Sequence, residues 1–554
     1  MRQKITVLWV LGCVAGLLVA AHVRLGAQNQ TRPRRAGTID SSATLPPEMQ
    51  AELVTYPSPE IAFICGPQLK ARSRLNPFPW FDDTQIAQGR VQAREAPAIA
   101  PRILAGTVSV GRNDRIVTGV GTRFRSEVDP NGPAPFYDGW LRIRDGATDR
   151  EVKVASVQSD AQLTLSSSWK FAAVSNTKAD TNHRDTQQAS WNYDHYLRAT
   201  YYDTAYVEYI NYYRTGDPAF LDAARKIADS LWGSPYVDFG TVISGPNHLQ
   251  PRSQAFAGLM LRALDGKPQY WDYLYREVRA TFDDWLKRRR NDATLYYDLR
   301  EDGYAQLYAA MLARVLPDRY QSFPNGTLKS STGVATDGAR KRAALLADAE
   351  DVAVNFFGRL QKPDGSWRWD ADVGSAPTDK HRNTEQPFMV GLYLESAILL
   401  HQLTANAAVK TSLRDQITRS CRHLYRDAYR KEVVSDMPQY RWRGMWYFWG
   451  GGNLANPRAY EHGWGDRATN GDANVVRGVR HLNSTIHHAF GYAYLITRDA
   501  SFLQMGDEIF GASFGDATDQ LRNLATAGSK EYDMTFRSAG RYLAWRLVAQ
   551  NRER

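Results

Sequence analysis

The chain has little cysteine, no tract of like charge and no recognisable metal or phosphate motif. Its 554 residues include only three Cys, too few for the disulfide framework of a small secreted fold. No His-Glu-x-x-His string, paired Cys or Asp-rich calcium loop occurs. Gly450-Gly451-Gly452 lacks a following Gly-Lys-Ser/Thr, so it is no phosphate-binding loop. We therefore expect no cofactor, no bound metal and, without a reading motif, no nucleic-acid partner.

What the chain does have is aromatic residues and a mild basic excess. Its 15 Trp and 29 Tyr need either large cores or large binding clefts. The 69 basic residues outnumber the 59 acidic ones, and the excess is spread along the chain. This balance indicates either a solvated basic surface or attraction to a polyanion such as an acidic polysaccharide. With 43% hydrophobic residues the composition is globular, which excludes a mainly disordered or multi-span membrane protein.

The N-terminus has the pattern of an export signal. Arg2 and Lys4 precede an apolar run over residues 5–21, and small residues follow up to Ala27. This predicts a signal peptide over residues 1–27, with an uncleaved membrane anchor as the alternative. We therefore expect a periplasmic or extracellular protein whose mature chain has no membrane span. Cys65 and Cys421 would then form either one long-range disulfide or two buried free thiols.

The rest of the chain divides by its periodicity. Residues 28–103 show little periodicity and predict an irregular segment. Residues 104–170 contain five short alternating runs rich in Val, Ile and Thr, which predict a small β-barrel or sandwich. Apolar residues at helical spacing, such as those between Phe220 and Leu231, recur over residues 190–550 and predict twelve helices.

Recurring turns join the predicted helices in pairs. The Thr-Gly-Asp-Pro turn at residues 215–218 is echoed at residues 403–406 and 496–503, which indicates a helical-hairpin repeat. With the stretches at residues 361–367 and 385–392, the region 190–550 resembles the (α/α)6-toroid, six-hairpin glycosidase superfamily. The resemblance implies a mainly α chain, in which a toroid of six helical hairpins is preceded by a small all-β domain. That β segment itself resembles a module of phage tail and surface proteins, which suggests attachment or spacing.

The superfamily also gives an expected activity. Its members hydrolyse or eliminate glycosidic bonds, often of uronic-acid glycans, while some relatives do neither. The resemblance implies an exported carbohydrate-active enzyme, a glycoside hydrolase acting on an acidic oligo- or polysaccharide. A polysaccharide lyase on the same substrates, or a non-catalytic protein that binds glycans or attaches to surfaces, is the alternative.

Long connections between hairpins indicate where a site would lie. Residues 232–250, 361–385 and 428–473 should emerge at one end of a closed ring of hairpins, because they all join one hairpin to the next. Hydrolysis needs two carboxyl groups across the bond. We expect Glu385 as general acid and Asp298 as base or nucleophile, with Asp194 in reserve. Their structural alternatives are a helix-dipole partner, a salt-bridged helix entry and a helix cap, respectively.

Aromatic platforms beside hydrogen-bond donors suit sugar rings, and Arg suits a uronate carboxylate. The residues expected to bind substrate are therefore His381, Arg382, Trp367, Trp369, Trp442, Trp446, Trp449, His462 and Trp464. Packing of these side chains against the scaffold is the alternative. Elimination would instead use a base from the histidines or tyrosines and a neutralising Arg or Asn, and the group at Asn483, His487 and His488 is one candidate. His487 and His488 are adjacent, so on a helix both cannot face the same site.

Overall fold

The computed structural model describes much of the chain with gaps. The described residues are 45–99, 104–129, 140–146, 148–180, 202–233, 251–287, 299–322, 333–368, 384–430, 444–445, 449–450, 483–514 and 530–553. The chain divides into Met1–Asp40 and Ser41–Arg554, and every described residue belongs to the second unit. The predicted signal peptide lies outside the described residues. The described part is mainly helical, as predicted.

The helices and strands have the following bounds. The helices are α1 Pro47–Gln50, α2 Pro59–Cys65, α3 Pro79–Ile99, α4 Phe124–Glu127, α5 Thr204–Thr215, α6 Pro218–Gly233, α7 Phe256–Leu264, α8 Tyr270–Phe282, α9 Leu299–Val315, α10 Gly338–Val352, α11 Gly358–Leu360, α12 Pro387–Leu403, α13 Ala407–His423, α14 His487–Thr497, α15 Ser501–Phe514, α16 Lys530–Phe536 and α17 Ala539–Glu553. Single π-helical turns at Asp283–Lys287, Ala353–Phe357 and Leu424–Ala428 follow α8, α10 and α13, and a 3-10 turn at Pro251–Ser253 precedes α7. The strands are β1 Thr107–Val110, β2 Ile116–Val120, β3 Trp140–Asp145, β4 Thr148–Ser159, β5 Gln162–Leu165, β6 Val174–Thr177, β7 Ala179–Asp180, β8 Arg319–Ser322, β9 Val334–Asp337, β10 Thr384–Glu385, β11 Tyr429–Arg430, β12 Gly444–Met445 and β13 Trp449–Gly450.

The predicted turn between α5 and α6 forms by ordinary capping chemistry. Gly216 ends α5 in the left-handed conformation at φ 72°, which a residue without Cβ adopts at little cost. Asp217 then accepts the backbone N–H of Ala219 at 3.0 Å, and Pro218 begins α6. A similar device starts α13, where Asn406 accepts the N–H groups of Ala408 and Val409. The recurring turns are therefore real helix boundaries.

The helices pack both within pairs of consecutive helices and between successive pairs. Consecutive helices pack as pairs, namely α5 with α6, α7 with α8, α9 with α10, α12 with α13 and α14 with α15, and all but α9 and α10 are joined by short turns. The first members of these pairs also pack against each other in the order α5, α7, α9, α12, α14, and α14 packs in turn against α17. Helix α16, which directly precedes α17, packs against α5. One large apolar core joins all of these elements.

The prediction that residues 28–103 are irregular is wrong for the described part. Helices α1, α2 and α3 lie there, and α3 packs against α5 and α6. Phe81 of α3 contacts the rings of Phe510 and Phe536, with centroids 5.4 and 5.8 Å apart. The helical periodicity was hidden because the buried positions of α3 include Gln85, Gln88 and Gln92. A face buried through glutamines carries little apolar signal.

Seven strands form one antiparallel sheet in the order β6-β1-β2-β5-β4-β3-β7. The five predicted runs coincide with β1 to β5, and β6 and β7 extend the sheet beyond residue 170. The sheet has its own apolar core, which includes Val117, Leu163 and Trp169. Its segment lies between α3 and α5, and both helices belong to the large core. The expectation that a β segment precedes the helical region is therefore corrected, because it interrupts that region.

Two further findings concern thiols and membranes. Cys65 and Cys421 are free and buried, so the two-thiol alternative holds, and burial raises the pKa of each thiol. Among the described residues, no helix is long and apolar enough to cross a bilayer.

Candidate functional site

Three predicted site residues come together just before α12. Strand β10 pairs with β13, which places Glu385 opposite Trp449. The backbone N–H of Trp367 donates to Glu385 Oε2 at 2.6 Å. Connections that are far apart in sequence therefore meet at this helix end. We call Glu385, Trp367, His423, Asp427 and Trp449 the Glu385 cluster.

His423 and Asp427 are the members that sequence reasoning missed. His423 is the last residue of α13, and its Nε2 lies 2.5 Å from Glu385 Oε1. Its Nδ1 lies 3.0 Å from Asp427 Oδ2, in the following π-helical turn. The i,i+4 spacing of His423 and Asp427 was a usable signal, but nothing local connects it with Glu385, 38 residues away.

The electrostatics of the cluster favour an imidazolium. Burial alone would lower the pKa of His423, but the Glu385 and Asp427 carboxylates outweigh it and raise that pKa to about 9. Burial likewise opposes ionisation of Asp427, yet hydrogen bonds from His423 and Arg426 lower its pKa to about 2. At neutral pH a protonated His423 thus lies between two carboxyl groups.

The two tryptophans of the cluster differ in exposure. Trp367 is 1% exposed, its Nε1 donates to Ser420 Oγ at 2.8 Å, and its ring packs against Tyr393. Its buried indole offers no stacking face, so the expectation that Trp367 binds substrate is corrected to a core role. Trp449 is partly exposed, its ring meets His423 edge-on at 4.5 Å, and the Arg368 guanidinium lies 5.3 Å from its ring centre. An aromatic face beside a guanidinium suits a charged sugar.

Glu385 lies just outside the first turn of α12. The N-cap of α12 is Gln386 and Pro387 is at the first turn, so neither Thr384 nor Glu385 caps that helix. Glu385 instead accepts two hydrogen bonds from other segments. The other predicted site residues lie outside the described residues, and their roles stay predictions: Asp298, Asp194, His381, Arg382, Trp369, Trp442, Trp446, His462 and Trp464.

A second polar cluster is buried among the core helices. Glu395 of α12 pairs with Arg537 at 2.9 Å and with Arg541 at 3.2 Å. Arg537 also donates to the carbonyl of Tyr202 at 2.9 Å, and Arg541 donates to the carbonyl of Ile64 at 2.9 Å. We call Glu395, Arg537 and Arg541 the Glu395 cluster. It ties α12 to the C-terminal helix and to α2.

Three buried acids lie near this cluster. Asp203 caps two helices, because it accepts the N–H groups of Tyr206 at 3.1 Å and Gly258 at 2.9 Å. Asp203 and the preceding Tyr202 both have positive φ, 71° and 66°, a strained conformation for such residues. Burial raises the pKa of Asp203 to about 6, against hydrogen bonds that lower it.

The other two acids connect α5 to α16. Thr204 donates to Asp533 at 2.6 Å, and the Tyr532 hydroxyl donates to Glu208 at 3.0 Å. Burial raises the pKa of Asp533 well above its usual value and that of Glu208 to about 8. Both side chains are fully buried. These carboxyl groups are therefore hydrogen-bonded parts of the core.

Replacing Glu208 by Gln should remove a pH dependence of stability. The folded pKa of Glu208, about 8, exceeds the ordinary value of 4.5, so the folded state binds this proton more tightly than the unfolded state. Its contribution is therefore greatest at low pH and is lost as pH rises from 4.5 to 8. Between those limits, the free energy of unfolding of the Gln variant should rise by about 3 to 5 kcal/mol relative to that of the wild type. Urea unfolding of both proteins at pH 5 and pH 8 measures the difference, and an equal difference at both values would contradict the prediction.

The histidine group proposed for elimination is buried. Asn483, His487 and His488 have no exposed surface, and Asn483 accepts the N–H of Met445 at 2.7 Å. His487 packs against the ring of Phe510 at 4.5 Å, whereas His488 lies near the arginines of the Glu395 cluster. Burial lowers the pKa of both histidines. The two adjacent rings therefore have different surroundings, as their helical spacing predicts.

Comparison with known proteins adds no relative. No protein-family model matches this chain, and no curated protein or solved structure is significantly similar to it. Within the described residues, no group of three or more His, Cys, Asp and Glu side chains is arranged to hold a metal ion. The function must therefore be argued from the geometry of the clusters.

Proposed function

We propose that the protein is an exported carbohydrate-active enzyme, a glycoside hydrolase that acts on an acidic, uronate-containing glycan. The observation that carries the proposal is the Glu385 cluster, in which a carboxyl group lies beside a partly exposed tryptophan and a guanidinium. A carboxyl group can take part in hydrolysis, an indole can stack on a sugar ring, and a guanidinium can pair with a uronate.

The proposed architecture is a closed (α/α)6 toroid. The packing order α5, α7, α9, α12, α14, α17 supports six inner helices, and the contact of α16 with α5 supports closure of their ring. The hydrogen bonds from Thr204 to Asp533 and from Tyr532 to Glu208 lie at that junction. The five helices paired with α5, α7, α9, α12 and α14 would be outer helices. Helix α3 would be the sixth, and its contacts with α6 and with Phe510 of α15 support that place.

In such a toroid the N-terminal ends of the inner helices lie at one face. Asp203 directly precedes α5, Glu385 lies two residues before α12, and Arg252 lies shortly before α7. The connections that lead into these helices are long, and they run from β7 to α5, from α6 to the 3-10 turn before α7 and from α11 to β10. We place the glycan-binding cleft at this common end. The β segment lies between α3 and α5 in the sequence, so it would join the helical region at the same face.

The proposed reacting pair is Glu385 with Asp298, and Asp194 is the reserve. Substrate would be bound by Trp449 among the described residues and by the predicted set at His381, Arg382 and the long connections. The sheet segment would serve in attachment or spacing.

Digestion of a glycan panel should decide the reaction class. The mature protein is incubated with uronate-containing and neutral polysaccharides, and both new reducing ends and the ultraviolet absorbance of an unsaturated product are followed. We expect reducing ends without that absorbance, from acidic glycans only, and their loss in Glu385→Gln. The control is Asp222→Asn, which removes an exposed carboxylate of α6. Absorbance would show a lyase, and binding without products would show a non-catalytic protein.

A further inference from the structure

The Glu385 carboxylate is held by donors on two sides. Oε2 accepts the Trp367 N–H at 2.6 Å, and Oε1 lies 2.5 Å from His423 Nε2. The side chains of Glu385 and His423 are 1% and 0% exposed. A general acid must carry a proton to give to the leaving oxygen, but here a nitrogen faces each Glu385 oxygen, and the Glu385 and Asp427 carboxylates raise the pKa of His423 to about 9 against the effect of burial.

The second ring nitrogen of His423 is fixed as well. Nδ1 lies 3.0 Å from Asp427 Oδ2, and Arg426 holds the same carboxylate from outside. The chain Glu385–His423–Asp427 therefore leads from a buried carboxyl group to one whose side chain is 24% exposed. Both ring nitrogens act as donors only in the imidazolium form.

Among the described residues, the other charged groups around the cluster lie in segment 361–368 and in the turn after α13. Segment 361–368 contributes Asp364 and Arg368, which pair with each other at 2.6 Å. The turn after α13 contributes Arg426 and Asp427, and β13 contributes the uncharged Trp449. Of the cations in the described part of the chain, His423 is the one in direct contact with Glu385.

We propose that His423 is a positioning residue that holds Glu385 as a carboxylate, so that Glu385 is the base of the hydrolase and not its acid. The inference rests on the proposed function. A carboxylate has about four acceptor positions, and two are used here. A remaining position takes a proton from water while the water oxygen bonds to the anomeric carbon. The glycosidic C–O bond breaks, and a second carboxyl group acts as the general acid that protonates the leaving oxygen. Asp427 fixes the ring of His423 and offsets its charge.

The charge state of His423 can be measured without any substrate. In the full-length protein labelled with 15N-histidine, the two ring nitrogens of His423 should show the imidazolium pattern at pH 7.5, assigned by its loss in His423→Gln. In Glu385→Gln the same ring should become neutral at that pH. The matched control is His401→Gln, which removes another buried histidine, one whose pKa is lowered to about 4 and whose Nδ1 lies 2.9 Å from the Tyr492 hydroxyl. A neutral His423 at pH 7.5 in the wild type would overturn the inference, whatever the enzyme does.

The pH profile of hydrolysis then tests the role of Glu385. His423→Gln removes the imidazolium, so the acid limb of the pH profile of kcat/KM should move upward by about one pH unit. The value of kcat/KM should therefore fall about tenfold at the acid end and recover at higher pH. A purely structural role would lower kcat/KM equally at every pH and would overturn the inference, whereas His401→Gln should leave the limb in place. If no glycan is cleaved, the proposed function fails and the base role with it, while the nitrogen shifts still report whether His423 holds the carboxylate.

Discussion

Replacing Glu395 by Gln should lower the free energy of unfolding by about 3 to 5 kcal/mol, because it leaves two buried arginines without their counter-charge. Arg537 and Arg541 are each no more than 1% exposed, so water cannot replace the lost carboxylate. The variant should also loosen the contact with α2, because Arg541 donates to the carbonyls of Ile64 and Cys65.

Urea unfolding followed by circular dichroism measures this effect. The control is Asp222→Asn, which breaks an exposed i,i+4 pair with Lys226 and should change stability by less than about 1 kcal/mol. If both variants lose equally little free energy of unfolding, the Glu395 carboxylate does not stabilise its cluster as proposed. The double variant in which Arg537 is also replaced by Met should recover part of the loss, because the uncompensated buried charge is then reduced.

Replacing Asp82 by Asn should be about as destabilising, again by about 3 to 5 kcal/mol. Asp82 of α3 is fully buried and pairs with Arg214 of α5, which is 1% exposed. The carboxylate also accepts from the backbone of Arg72 at 2.9 Å and from Asn76 at 2.8 Å. The loss of its charge therefore weakens the attachment of α3 and of the segment before it to the helical core.

An exposed pair at the same interface provides the control. Arg90 of α3 lies 3.5 Å from Asp217, with its side chain 65% exposed, so Arg90→Ala should cost less than about 1 kcal/mol. Limited proteolysis of Asp82→Asn should cleave residues 45–99 earlier than in the wild type. Unchanged stability and unchanged cleavage would mean that α3 is not held by this ion pair.

The sequence by itself determined most local elements of this protein. Apolar positions repeat at helical spacing in helices such as α6, and Gly216 with Pro218 marks a turn by its own backbone preference. Alternating Val, Ile and Thr likewise identified β1 to β5. Because such signals arise between residues close in the chain, they needed no knowledge of the fold. The sequence likewise identified Glu385 as a candidate carboxyl group at the start of α12.

Only the tertiary structure decided which distant residues meet. Helix α3 buries glutamines and the charge of Asp82, which have no apolar signal until a partner such as Arg214 covers them. Glu395 was visible as a polar residue in an apolar helix, but its arginines come from a segment 142 residues later. His423 acquires its charge only because Glu385 and Asp427 flank it, and Trp367 became a core residue because Ser420 and Tyr393 enclose it. Burial and charge pairing are properties of the packed chain, so the residues alone predict where such groups occur but not what surrounds them.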